Sequence, residues 1–222
     1  MYYDRIQTPT VTKNLIIINV IFFLATMLSK DFMISSFALF YPASKFFHWW
    51  QPLTHMFMHG GFVHIFFNMY ALWIFGSVVE RMIGSRKFLI FYFVCGFGAA
   101  ALHVGVEYLQ AQTFMARIAE GSQSAMQAYS HLKSIPTVGA SGAIYGVLIG
   151  YAMLFPQSRL TLIVPPISLS ARTWVMIFVG IELLTGVTGT ADGVAHFAHL
   201  GGMLVGWLLF KYWRKKGILF ER

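Results

Sequence analysis

Charged residues are scarce in this chain. Only 11% of its 222 residues are Asp, Glu, Lys or Arg, against roughly 25% in an ordinary soluble domain. Just eight are acidic, and the single cysteine, Cys95, has no intrachain partner for a disulfide. The shortage of charge excludes an array of soluble domains, and the space it leaves is filled by apolar residues, 57% of the chain, and aromatics, 17%. A bilayer core needs about 20 apolar residues per helical pass. Six stretches qualify, about 14–29, 60–79, 87–106, 137–155, 171–188 and 193–213. They predict one polytopic membrane domain over residues 1–222, all-α and in contact with the lipid bilayer. No small-residue cleavage pattern follows the first span, so it is expected to be a retained helix and not a signal peptide. Fixed-period repeats and low-complexity tracts are absent too.

The net charge of +8 does not imply nucleic acid, because the basic residues are sorted by loop. In a six-pass arrangement only Lys30, Lys45, Arg117 and Lys133 fall on one side; the remaining twelve of the 16 lie on the other. That bias places both termini in the cytoplasm. The outer segment 30–58 gathers Phe46, Phe47, Trp49, Trp50 and Phe57, rings that favour the headgroup region. A second outer segment, about 107–136, is more polar and is expected to hold an amphipathic surface helix. Inner connections are expected to be short.

Several catalytic chemistries are missing as well. No span carries an aspartate pair, and no His-Glu-x-x-His occurs, which removes aspartyl and zincin-type mechanisms. His55, His59 and His64 cluster, but only the first two are spaced i, i+4, so no metal is expected. Gly139-Ala140-Ser141-Gly142-Ala143 lacks the last glycine of a G-x-S-x-G elbow, which together with hydropathy excludes an α/β-hydrolase.

What remains is a serine and histidines on alternate passes. The second, fourth and sixth stretches all start on the outer side and carry His64, Ser141 and His199 near that start. At 1.5 Å rise per residue, His199 lies roughly 9 Å below Gly193, and the others are similarly shallow. Gly142, Gly146 and Gly150 recur every four residues, as do Ala198, Gly202 and Gly206, and small residues at that spacing let membrane helices approach closely. Ser141 precedes the first stripe, and His199 lies beside the second. A serine hydroxyl needs an adjacent base to become a nucleophile. His199 is the first candidate and His196, one turn earlier, the second, otherwise a neighbour at a water-filled mouth. His64 and Asn68, at i, i+4, share a helix face and can donate to an oxyanion, as can the Ser141 N–H at a helix N-terminus. No acidic partner is evident. Glu182 is the carboxylate well inside a span and Asp192 precedes the sixth, so the reading is a Ser–His pair with Asp192 left open.

These residues resemble the rhomboid family of intramembrane serine proteases, and the similarity runs from the first span through the sixth. It is carried by His64-Ile65-Phe66-Phe67-Asn68, Gly139-Ala140-Ser141-Gly142 and His199-Leu200-Gly201-Gly202 with Gly206, in that order. Gly76, Glu80-Arg81 and Gly84-Ser85 resemble the family's inner turn. The resemblance implies a six-transmembrane-helix bundle with a short central fourth helix and a cavity open to the outside. It further implies Ser141 as nucleophile, His199 as base, His64, Asn68 and Ser141 as oxyanion donors, and Gly139 and His196 as accessory residues. No cofactor is implied. Transmembrane protein substrates would enter laterally past the fifth helix, with 189–193 as a movable cap, in a bacterial inner membrane. The alternative is a non-catalytic rhomboid-like binder of membrane proteins acting in quality control. Two features depart from the pattern: Trp50-Gln51 stands where many relatives carry Trp-Arg, and the segment 107–136 is long for the family core.

Overall fold

The computed structural model describes residues 7–161, 165–188 and 193–220. Helix α1, Thr10–Leu28, buries Thr12, Leu15, Asn19 and Thr26, which recur at spacings of three, four and seven and so form one face. Ile17, Ile21, Leu24 and Leu28 of the same helix are exposed, as suits a surface whose solvent is lipid. A short α2, Lys30–Phe37, and a single turn α3, Gln51–Thr54, with a 3-10 turn at His55–Phe57, build the outer segment. Gln51 is fully buried there, its amide donating to the carbonyls of Ser35 and Phe46 and accepting from the Phe40 N–H. Gln51 therefore anchors this loop by three backbone contacts without a charge.

Helix α4, Phe62–Ala71, continues through a π-helical turn, Leu72–Gly76, into α5, Ser77–Ile83. Gly84, at φ +85°, makes the tight turn into α6, Ser85–Ala119. Buried Glu80 accepts from the N–H groups of Val11 and Thr12 and from the hydroxyls of Thr12 and Ser85, at 2.6–3.0 Å. It thus satisfies donors that the first turn of α1 cannot pair internally, and it sets a negative charge at that helix's positive end. The start of α1 and the α5–α6 turn consequently share one end of the molecule, where the final turn Ile218–Phe220 also packs against α5.

α6 is much longer than the span expected at 87–106. Its 35 residues reach ~52 Å, well beyond a hydrocarbon core of about 30 Å. The excess carries most of the second outer segment, and α7, Gln123–Ser134, folds back on it around Tyr41, Ala111 and Leu132. α8, Ser141–Leu154, is short and the most enclosed helix, packed by α6, by α9, Ala171–Thr188, and by α10, Gly193–Lys215. Between α8 and α9 lies an antiparallel ribbon of β1, Arg159–Thr161, and β2, Ser168–Ser170, so this inner connection is more structured than the sequence implied. Among the described residues four helical runs are long and apolar enough to cross a membrane: Thr10–Leu28, Phe62–Ile83, Ser85–Ala119 and Ala171–Thr188. The molecule is an all-α membrane bundle, with one small ribbon among the described residues.

Candidate active site

Glycines set the distance between α8 and α10. A Cβ on Gly202 would collide with the Gly142 carbonyl, and one on Gly206 would lie 3.1 Å from Gly146 Cα. The two small-residue stripes therefore face each other at backbone contact. Ser141 opens α8 and His199 lies one turn before Gly202, so this contact brings them together: Ser141 Oγ is 2.8 Å from His199 Nε2. Tyr145, one turn after Ser141, stacks on the His199 ring at 4.3 Å between centroids, which fixes the plane of the imidazole.

The backbone leading to Ser141 is tied at three points. Leu39 and Thr137 exchange hydrogen bonds, the Gly139 N–H donates to the His55 carbonyl at 3.0 Å, and the Thr137 hydroxyl meets His103 Nε2 at 2.6 Å. Gly139 sits at φ +136°, where a side chain would be strained, and an added Cβ would press on the His64 ring at 3.0 Å and approach Ser141 Oγ. His64 thus lies against the same turn as Ser141. Its Nδ1 accepts a long bond, 3.4 Å, from the Gly60 N–H, which leaves the proton on Nε2, the nitrogen nearest Gly139. Asn68, one turn along α4, is only 7% exposed, and its side-chain amide nitrogen has no hydrogen-bond partner. His64 and Asn68 line an open concavity of about 630 Å³. Ser141, His199, Gly139 and His55 line a smaller adjacent cavity of about 40 Å³, enough for a water molecule. His55 donates its Nδ1–H to the Gln51 carbonyl at 2.9 Å, and burial lowers its pKa to about 4, so it lines the cavity as a neutral ring.

One residue that sequence reasoning set aside belongs to the cluster. Glu182, 5% exposed, sits with Oε1 3.0 Å from His199 Nδ1 and Oε2 2.6 Å from His196 Nδ1. The carboxylate left unassigned in the fifth span is the acidic neighbour of the candidate base. His196 contacts Glu182, and no contact with Ser141 marks it as the base. The ligand atoms of Glu182, His196 and His199 lie within 4.8 Å of one another, a closeness that the two hydrogen bonds account for. Asp192 and residues 189–192 of the expected cap lie outside the described residues. Glu182 was visible only as a rare carboxylate in an apolar run, a position where ionisable groups are costly and usually functional.

This arrangement has counterparts. The chain is 29% identical over 165 residues to Rhomboid protease GluP of Bacillus subtilis, covering 71% of this chain and 25% of that protein. It is 28% identical over 163 residues to Rhomboid protease AarA of Providencia stuartii, covering 72% and 54%. With Rhomboid protein 1, mitochondrial, of Saccharomyces cerevisiae it shares 30% over 173 residues, covering 75% and 42%. The match thus spans between a quarter and about half of these relatives' own lengths. The Rhomboid domain family model matches residues 46–216, from the aromatic outer loop through the end of α10, and so takes in every residue of the Ser141 cluster. By that match and by its helical membrane architecture, the chain belongs to the rhomboid family.

Proposed function

We propose that this protein is an intramembrane serine endopeptidase that hydrolyses a peptide bond in or near a transmembrane segment of another membrane protein. The observation that carries the reading is the 2.8 Å contact between Ser141 Oγ and His199 Nε2 inside an apolar bundle. Family membership supports it, as do relatives that are themselves named rhomboid proteases. A helix of 14 residues is only ~21 Å long, shorter than a hydrocarbon core of about 30 Å, so at least one of its ends falls inside the core, and the proposal puts the Ser141 end there. In a six-pass arrangement, with α8 and α10 as the fourth and sixth passes, Ser141 is shallowly submerged and reached by water from outside.

In the proposed reaction Ser141 Oγ attacks the scissile carbonyl carbon while its proton passes to His199 Nε2. The carbonyl electron pair becomes an oxyanion held by the Ser141 N–H, His64 Nε2–H and the unpaired Asn68 amide. His199 then gives its proton to the leaving amine as the C–N bond breaks, and water repeats the sequence to release the acyl group. The substrate must offer extended backbone to Ser141, so helix-breaking or small residues are expected near its outer end. Helix α9 buries few of its residues, which supports lateral access past it. The charge asymmetry supports cytoplasmic termini, and a bacterial inner membrane is the setting proposed.

The test is cleavage of a tagged single-span reporter by purified protein in liposomes. Wild type is expected to cleave, and Ser141→Ala and His199→Ala to lose at least about 10³-fold in turnover while remaining folded. Cleavage retained in Ser141→Ala overturns the assignment, and tight reporter binding without cleavage in all three favours the binder.

A further inference from the structure

Helix α9 is apolar and lightly packed, with Met176, Ile181, Leu184 and Val187 exposed, yet it buries one carboxylate. A charge at that depth is costly unless paired. Glu182 is paired two ways: with His199 Nδ1 at 3.0 Å and with His196 Nδ1 at 2.6 Å. A tie between α9 and α10 would need only one of these contacts. The choice of His199 has a chemical consequence, because an ionised carboxylate only accepts hydrogen bonds. The proton of the neutral imidazole must then sit on Nδ1, leaving a lone pair on Nε2, the nitrogen that faces Ser141 Oγ.

We propose that Glu182 is a positioning residue for catalysis, extending the Ser141–His199 pair to a third member. This rests on the protease reading above. Its carboxylate selects the Nδ1–H tautomer of His199, aims Nε2 at Ser141, and stabilises the imidazolium that forms as Ser141 attacks. The Nδ1 proton stays in place throughout; only the proton received from Ser141 Oγ moves, from Nε2 to the leaving amine. Glu182 touches neither substrate nor reacting atoms. His196 holds the second carboxylate oxygen, so rotation of Glu182 away from His199 would break two bonds. Because Glu182 is carried by α9, the competent tautomer also requires α9 to be docked.

Two measurements decide this. The first is the tautomer of His199 in the wild-type protein at neutral pH, read from ¹⁵N-histidine spectra and assigned by difference with His199→Ala. A proton on Nδ1 with a bare Nε2 is expected, and a proton on Nε2 overturns the proposal. This reading needs neither activity nor a Glu182 variant, so it stands even if the protease assignment fails. The second compares Glu182→Gln with wild type in reporter cleavage and in Ser141 labelling by a fluorophosphonate. The amide keeps a helix-to-helix hydrogen bond but loses the charge and can donate to the wrong tautomer. The expected result is a kcat lower by roughly 10²–10⁴-fold with KM changed about twofold or less, and a matching loss in labelling rate. Wild-type kcat and labelling in Glu182→Gln would show a helix tie alone and refute the positioning role. Inactive wild type with the Nδ1–H tautomer present would refute the protease reading, and with it the catalytic role, while the tautomer selection by Glu182 would stand.

Discussion

Ser141 owes its position to its neighbours more than to its own side chain. Gly139 provides a turn at φ +136° with no room for a side chain, and the Gly142–Gly202 contact lets His199 come within 2.8 Å. That much was legible in the sequence, because small residues every four positions specify close helix approach whatever the loops between them do. Glu182 was not, since His199 lies 17 positions further on and on a different helix, and no spacing rule spans that gap. Gln51 was readable only as a departure; its buried contacts show how a neutral amide anchors the same loop. Asn68 offers a sharp test at this scale. Its amide nitrogen is buried and unpaired in the resting protein, so Asn68→Ala deletes no amide-donated hydrogen bond and removes an unsatisfied donor. Turnover is expected to fall about 10²-fold or more, with the thermal midpoint unchanged or raised. A lowered midpoint with normal turnover would assign Asn68 to structure instead.

At the scale of elements, the account rests on two helices meeting at their backbones. Gly202→Ala puts a Cβ into the Gly142 carbonyl, and rigid helix backbone has little room to yield. We expect a loss of about 1–3 kcal/mol in stability from overpacking, with slower fluorophosphonate labelling as Ser141 and His199 separate. Gly180→Ala, on α9, is the matched control because nothing lies within 4 Å of its added Cβ. There a gain of up to about 1 kcal/mol is expected from helix propensity. Thermal unfolding in detergent checks both; equal effects at the two positions would contradict the contact. Element lengths were less legible than contacts. The sequence placed the end of the third span near residue 106, whereas α6 continues to Ala119, because an amphipathic extension packed under α7 and Tyr41 continues the same helix without an apolar signal.

For the whole molecule, Glu80, the first turn of α1 and the last turn after α10 share one end, and the sorting of basic residues is the ground for proposing that this end is cytoplasmic. Reporter fusions are expected to place both ends of the chain in the cytoplasm and the α6–α7 turn near Gly121 outside; a cytoplasmic Gly121 would overturn the six-pass arrangement. In the proposed orientation Ser141 would lie within reach of outer water, which is what hydrolysis requires of a serine inside a membrane bundle. The most direct test of that central claim is to label the protein in liposomes with a fluorophosphonate and map the adduct by mass spectrometry. The account expects one adduct, on Ser141, lost when His199 is replaced by alanine. A reporter cleaved by a protein that carries no adduct on Ser141, or labelling indifferent to His199, would contradict it.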